Sequence, residues 1–390
     1  MNIREEIKRD HALLTEWRRD LHAHPELAFE EERTAALVAE RLQSFGIEVE
    51  TGIAKTGVVG KLKAGTGNRA IALRADMDAL PMQEGNDFAH ASSVPGKMHG
   101  CGHDGHTTML LGAAKYLAET KDFDGTVYFI FQPAEEGAGG AEVMVREGLF
   151  DRFPVEAVYG MHNWPGMPVG RIGASAGPMM AAFDTFDLYI RGKGGHGAMP
   201  HQAVDSVLVA CELVGALQSI ASRNTDPVDA LVVTVTQIHG GDAYNVIPGE
   251  VHLAGTVRSF REEVRDSVAP AMKRIADGIC AAYGATAELR YEKLYPATVN
   301  SVEETEQAVA AAAAVVGADA IDRSPVPSMG AEDFAYMLCE KPGSYIWVGN
   351  GDVEGGCMLH NPGYDFNDEI IPIGVSYWAE LVEMALPAER

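Results

Sequence analysis

Apolar residues at Ile3, Ile7, Leu14, Trp17 and Leu21 recur at three- to four-residue steps or their multiples, which predicts an amphipathic helix stopped by Pro25. A second helix is expected over 30–45, closed by Gly46. The pattern then changes to short apolar runs. Residues 70–75 (AIALRA), 126–131 (TVYFIF) and 155–161 (VEAVYGM) read as strands, and 107–119 reads as a helix between the first two. Strands alternating with helices predict an α/β domain with a largely parallel sheet. In such a sheet the active groups are expected at the carboxyl ends of the strands.

From about residue 183 the alternation takes another form. Strands are expected at 186–191, 231–239, 250–260 and 286–291, with helices at 202–222 and 261–283. The order β-α-β-β-α-β is that of a ferredoxin-like unit, long enough to be a domain. After Pro296 the helix–strand alternation resumes, with an alanine-rich helix near 308 and a strand at 345–349. The expectation is one domain built from 1–183 and 297–390, with 184–296 inserted into it.

Charge narrows the partners. The chain has 31 Lys+Arg against 56 Asp+Glu, a net charge of −25, which argues against nucleic acid and anionic membranes. A single local arginine could still hold an anionic substrate. Apolar residues at 46% can bury a large core. The longest apolar run, 308–318, is far short of the ~20 residues that span a bilayer. The N-terminus, MNIREEIKRD, lacks the apolar stretch of a signal peptide, and the five cysteines are odd in number and scattered. A reducing, cytoplasmic setting is expected.

Four segments concentrate metal-binding residue types: His99-Gly-Cys-Gly-His-Asp-Gly-His106, Gln132-Pro-Ala-Glu-Glu-Gly137, Met161-His-Asn163 and Leu359-His-Asn361. The second and third follow apolar strands. The glycines at 100, 102 and 105 are expected to keep the chain extended, so that Cys101 and His103 turn towards one point. Thiolate, imidazole and carboxylate together are the ligand set of zinc or another late divalent ion. Each element alone has a plainer reading. A buried cysteine is usually a small hydrophobe, adjacent glutamates are usually a solvated pair, and His162 and His360 could be ordinary polar residues. The argument for a metal rests on four segments falling where one site could gather them.

The ordered motifs resemble those of the zinc-dependent amidohydrolases that include hippurate hydrolase, bacterial N-acyl-amino-acid deacylases and plant indole-acetyl-amino-acid hydrolases. The resemblance runs from Arg19-Asp-Leu-His-Ala-His-Pro-Glu26 and Arg74-Ala-Asp-Met-Asp-Ala-Leu-Pro81 through the metal segments and Gly192-Lys-Gly-Gly-His-Gly197. It continues to Asn245-Val-Ile-Pro248, Gly255-Thr-Val-Arg-Ser-Phe260, Gly330-Ala-Glu-Asp-Phe334 and His360-Asn-Pro-Gly363. It implies two divalent ions, zinc first, with manganese, cobalt or nickel able to occupy the site. Cys101 would bridge them, Glu136 and His360 completing one ion and His103 and His162 the other. Asp78 would orient a ligand from behind. Asp76 stands where distant relatives carry a metal-binding histidine, and its own role stays open.

By the same resemblance Glu135 is the general base, although spacing alone leaves Glu135 and Glu136 exchangeable. His196, by itself a surface histidine, would cross a dimer interface and donate to the oxyanion in the partner's site, making the inserted domain a dimerisation or lid domain. Asn245 could add a second donor. Arg258, otherwise a salt-bridged structural residue, would hold the substrate's α-carboxylate with a bidentate fork. His99, His106 and His201 are expected to be structural or supporting.

The expected activity is metal-dependent hydrolysis of the amide bond of small N-acyl amino acids, hippurate-like or N-acetyl, by a homodimer or larger homo-oligomer. A dinuclear dipeptidase or carboxypeptidase is the alternative within the same chemistry. A thiol hydrolase using Cys101 with His103 has no evident third orienting group. A silent binding protein would not require Glu135 together with a full ligand set.

Overall fold

The computed structural model describes residues 1–352 and 357–388. In chain order its principal elements are α1 (Glu5–Ala23), α2 (Glu32–Ser44), β1 (Glu48–Ile53), β2 (Gly57–Ala64), β3 (Ala70–Asp76), α3 (His103–Thr120), β4 (Gly125–Gln132), β5 (Ala157–Pro165) and β6 (Ile172–Gly173). There follow β7 (Ala182–Arg191), α4 (Ser206–Ser219), β8 (Leu231–His239), β9 (Glu250–Ser259), α5 (Glu262–Tyr283) and β10 (Thr286–Lys293). The chain closes with α6 (Val302–Val316), β11 (Ile321–Asp322), β12 (Gly343–Gly351) and α7 (Ile371–Ala385).

The chain divides into two compact units. The first comprises Met1–Met179, Val299–Val326 and Asp333–Arg390, and the second Met180–Thr298 with Pro327–Glu332. The segment 327–332, expected with the outer domain, groups instead with the second unit. There the Ala181 amide donates to the carbonyls of Ser328 and Gly330, at 3.0 and 2.9 Å.

The first unit is an eight-stranded sheet in the order β1-β2-β4-β3-β5-β12-β6-β11. The pairs β3–β4, β3–β5 and β5–β12 at its centre are parallel, whereas β1–β2 and β2–β4 are antiparallel. All seven residues of β3 are buried: its first four, AIAL, are small or apolar, and Arg74 and Asp76 follow as a buried charged pair. Helices α1, α3, α6 and α7 pack together as a layer whose core includes Leu14, Trp17, Met109, Leu110, Val375 and Trp378. Strand order reverses at β3: the chain passes from β3 to β4 on one side and then returns to β5 on the other. Open α/β sheets bind ligands outside the strand ends at such a reversal.

The second unit is a four-stranded antiparallel sheet, β8-β9-β7-β10, crossed by α4 and α5. This is the ferredoxin-like order. Helix α4 starts at Ser206 rather than 202, capped by Asp205, and a π-helical turn carries it to Asn224. The stretch Ser206–Asn224 is long and apolar enough to cross a membrane by length and composition. In this fold its Val209, Ala210, Leu213 and Leu217 are buried in the core of the second unit.

Candidate metal centre

The reversal at β3 places three strand ends side by side. Asp76 pairs with Gln132 across β3 and β4, and His162 on β5 lies opposite Trp347 on β12. His162 and Asn163 are inside β5 rather than after it. Helix α3 begins at His103, four residues before the expected start, so the glycines at 102 and 105 do not hold an extended chain. They permit close packing instead. Gly102 takes a φ of +94°, and a Cβ there would sit 2.2 Å from Asn163 Nδ2; one on Gly105 would sit 2.1 Å from the Phe366 ring. The α3 N-terminus therefore presses into the strand ends, and the poor helix propensity of glycine is overridden by packing.

Ligand-type atoms converge there. Cys101, His103 and His162 each present one atom within 4.8 Å of the others, as do Cys101, Glu136 and His360, and His103, Glu135 and Glu136. Cys101 Sγ lies 3.4 Å from His162 Nε2, and His360 Nε2 lies 3.1 Å from Glu136 Oε1. His360 holds a left-handed φ of 62°, a conformation rarely taken outside glycine, while its amide donates to the Gly100 carbonyl at 2.8 Å.

The ring orientations suit a cation. His103 Nδ1 contacts the Asp78 carbonyl at 2.8 Å and Asp78 Oδ1 at 3.2 Å, while its buried Nε2 has no hydrogen-bond partner among the described residues. Asp78 Oδ2 accepts the Glu136 amide at 2.9 Å, so one carboxylate orients two of the expected ligands. His162 Nδ1 lies 2.6 Å from the Asn163 carbonyl, leaving Nε2 for the site. A sulfur, imidazole nitrogens and carboxylates gathered around an unpartnered Nε2 fit a late divalent ion.

The electrostatics agree. Burial opposes protonation of His103, but Asp76 and the Asp78 contact outweigh it and push its pKa up to about 10. This pocket attracts positive charge. Burial, then the carboxylates of Glu136, Glu135 and Asp76, push the Cys101 thiol well above its usual range. A nucleophilic cysteine needs the opposite shift, which these carboxylates do not supply. Burial and the neighbouring His106 hold His162 well below the usual imidazole range, which suits a neutral ligand.

The sequence profile of peptidase family M20/M25/M40 matches residues 72–384. The chain belongs to this family. It is 38% identical over 385 residues to thermostable carboxypeptidase 1 of Saccharolobus solfataricus, covering 96% of each chain. It is 40% identical over 381 residues to the hippurate hydrolase of Campylobacter jejuni, covering 98% of each. A Bacillus subtilis crystal structure, described as a dinuclear metal-binding peptidase of the M20 family, superposes with a TM-score of 0.87 at 36% identity over 98% of this chain and 99% of that one. The protein is accordingly a hydrolase with candidate metal sites.

Within this M20 fold, Asp76 acquires a definite environment. Its Oδ1 lies 2.6 Å from His106 Nδ1 and its Oδ2 2.6 Å from Arg74 NH1. Burial resists its ionisation, but His103, Arg74 and His106 hold it well below the usual carboxylate range. His106 is occupied on both nitrogens, since the Asn163 amide donates to its Nε2 at 3.0 Å. Asn163 is a residue the sequence reading missed. Its Nδ2 donates to the Cys101 carbonyl at 2.7 Å and its Oδ1 accepts the Tyr364 hydroxyl at 2.7 Å. The signal was its place beside His162 in the third segment.

His22 was also missed as a functional candidate, although it lies in the first of the resembling motifs. It bridges Asp104 at 2.8 Å and Glu84 at 3.2 Å, both buried. Beside it His99 is fully enclosed, with both nitrogens unpartnered among the described residues, and burial drops its pKa to about 4.

His196, Asn245 and Arg258 belong to the second unit. His196 sits on a two-residue strand paired with Val246–Ile247, and with Asn245 it lines one cavity of that unit. The Arg258 guanidinium lies over the Phe183 ring, 4.0 Å from its centroid. His201 is exposed.

Proposed function

We propose that the protein is a dinuclear metal amidohydrolase that cleaves small N-acyl amino acids, hippurate-like or N-acetyl, to a carboxylic acid and a free amino acid. The observation that carries it is the convergence of Cys101, His103, Glu136, His162 and His360 with Glu135 beside them. Cys101 would bridge the ions, with Glu136 and His360 on one and His103 and His162 on the other; thiolate among the donors favours zinc over manganese, cobalt or nickel. Two bound cations supply polarisation of the amide carbonyl and a lowered pKa for the attacking water.

The chain's own residues do the rest. Glu135, buried at the start of the turn after β4, takes the water's proton and passes it to the leaving nitrogen. Asp78 holds His103 and the Glu136 backbone in place. Arg258 recognises the α-carboxylate. His196 and Asn245 donate to the oxyanion, with His196 supplied across a homodimer. Five free cysteines support a reducing, cytoplasmic setting.

Zinc analysis together with a release assay on hippurate, N-acetyl amino acids and dipeptides tests this reading. Glu135→Gln is expected to retain both metal equivalents while losing about 10²–10⁴-fold in turnover. An equally active variant rules out Glu135 as the base. The similarity to a carboxypeptidase keeps peptide hydrolysis as a second reading, which turnover of substrates with a free α-amino group would favour.

A further inference from the structure

The carboxyl ends of β5 and β12 carry a feature that metal binding does not use. Trp164 follows His162 by two residues on β5, so both side chains share a face of the sheet, and their ring centroids are 6.3 Å apart. Trp347 on β12 stacks on Trp164 at 3.9 Å and 13°. The two indoles form one wall of a cavity of about 450 Å³ that also includes Val326 and Met358. Met358 precedes His360 by two residues. Through the His162–Trp164 ring contact the cavity lies next to one of the expected ligands, and its volume is within the roughly 300–1,000 Å³ typical of small-molecule sites.

Its lining is selective in character. Indole, thioether and aliphatic surfaces suit a flat apolar group. Among the described residues the ionic groups on the lining are Arg171 and Asp322, of opposite sign, so they give the cavity no net preference for an anion. An amino-acid product always carries a carboxylate; an acyl group need not be charged. Trp347 is 2% exposed and backs Trp164 from the protein interior, so Trp164, only partly buried, presents the accessible indole surface. The exposed Val326 and Met358 side chains leave apolar surface at the rim.

We propose that this cavity is the acyl subsite and that it selects neutral aromatic acyl groups of benzoyl size over acetyl. The inference rests on the amidohydrolase reading and adds to it which half of the substrate the first unit recognises. The ring would stack along the Trp164 face, and the scissile carbonyl would fall beside His162.

The experiment compares kcat/KM for N-benzoylglycine, N-acetylglycine and N-acetylphenylalanine in the zinc-loaded full chain, its Trp164→Ala variant and its Val326→Asp variant. The second substitution places a carboxylate at an exposed position where folding is least affected. Both variants are expected to lower the benzoylglycine-to-acetylglycine ratio about tenfold or more, mainly through KM, and to leave the acetylphenylalanine-to-acetylglycine ratio unchanged. Unaltered benzoyl preference, or a fall in the phenylalanine ratio instead, overturns the assignment.

Direct binding separates this proposal from the reading beneath it. Benzoate, but not acetate, should bind the wild type in a ligand-observed saturation-transfer measurement and bind several-fold more weakly to both variants. If the wild type cleaves none of the three substrates, the amidohydrolase reading fails while the benzoate measurement still decides the subsite. Equal benzoate binding by wild type and both variants refutes the subsite whatever the turnover.

Discussion

Replacing Asp78 with asparagine isolates what a carboxylate contributes from behind the metal centre. Its Oδ2 accepts the Glu136 amide at 2.9 Å and its Oδ1 faces His103 Nδ1 at 3.2 Å. An asparagine can present an acceptor to only one of these groups, and its NH2 then points at the other donor. One hydrogen bond to a charged group is lost, worth about 1.5–3 kcal/mol. Loss of a residue that orients a ligand weakens metal binding by roughly 10–100-fold, or about 1.4–2.7 kcal/mol, so the two routes agree. The metal-free protein should suffer less, because Asp76, Glu135 and Glu136 then repel one another with one carboxylate fewer nearby. Titration of stripped protein with zinc against a chromophoric chelator reads the affinity, and calorimetry reads the stability of stripped and loaded forms. The expected signature is weaker zinc binding, with most of the stability loss confined to the loaded form. Wild-type zinc affinity in Asp78→Asn would refute the orienting role, whatever happened to turnover.

The remaining expectations are brief. Gly105→Ala gains about 1 kcal/mol of helix propensity but forces a methyl to within 2.1 Å of the Phe366 ring, an overpacking cost of about 1–3 kcal/mol or more; calorimetry should show a lower melting temperature, and a raised one would refute the packing argument. Burial opposes the charge on His22, but Asp104 and Glu84 overcome this and raise its pKa to about 9. A raised histidine stabilises the fold fully below its unfolded value near 6.5 and loses that contribution as pH climbs through about 9, a change of roughly 3 kcal/mol. Denaturant unfolding of wild type should show this loss and His22→Gln should not; parallel pH curves would count against it. Because the Cys101 thiol is buried and pushed up in pKa, iodoacetamide at neutral pH should leave activity intact whereas a chelator abolishes it, and the reverse pattern would restore the thiol mechanism.

Legibility followed local chemistry. Strands such as 231–239 and 250–259 alternate or run apolar, so their periodicity reveals them directly. The β1–β2 hairpin escaped because β1 is a polar edge strand, EVETGI, with its side chains largely in water. The start of α3 escaped because a glycine-rich stretch argues against a helix, and only the approach of Asn163 and Phe366 explains those glycines. In the site, ligand types in four segments were readable from sequence. Second contacts were not: Asp76 makes sense only once Arg74 and His106 are seen on it, and His22 only once α3 brings Asp104 to its ring. The Asp76–His106 and His22–Asp104 pairings join residues from separate elements, so no local pattern encodes them.

The position of β12 has a consequence for synthesis. This strand comes from residues 343–351 but fills the sheet between β5 and β6, and His360 follows just behind it. A ribosome that has made the first 340 residues has emitted four of the five expected ligands, yet the β5 edge still lacks its partner and the cage lacks its last wall. Nascent chains therefore carry an open strand edge, a site for chaperones or for mispairing, until residues 343–360 have been made. Hydrolytic competence is thereby deferred until that segment has joined the sheet.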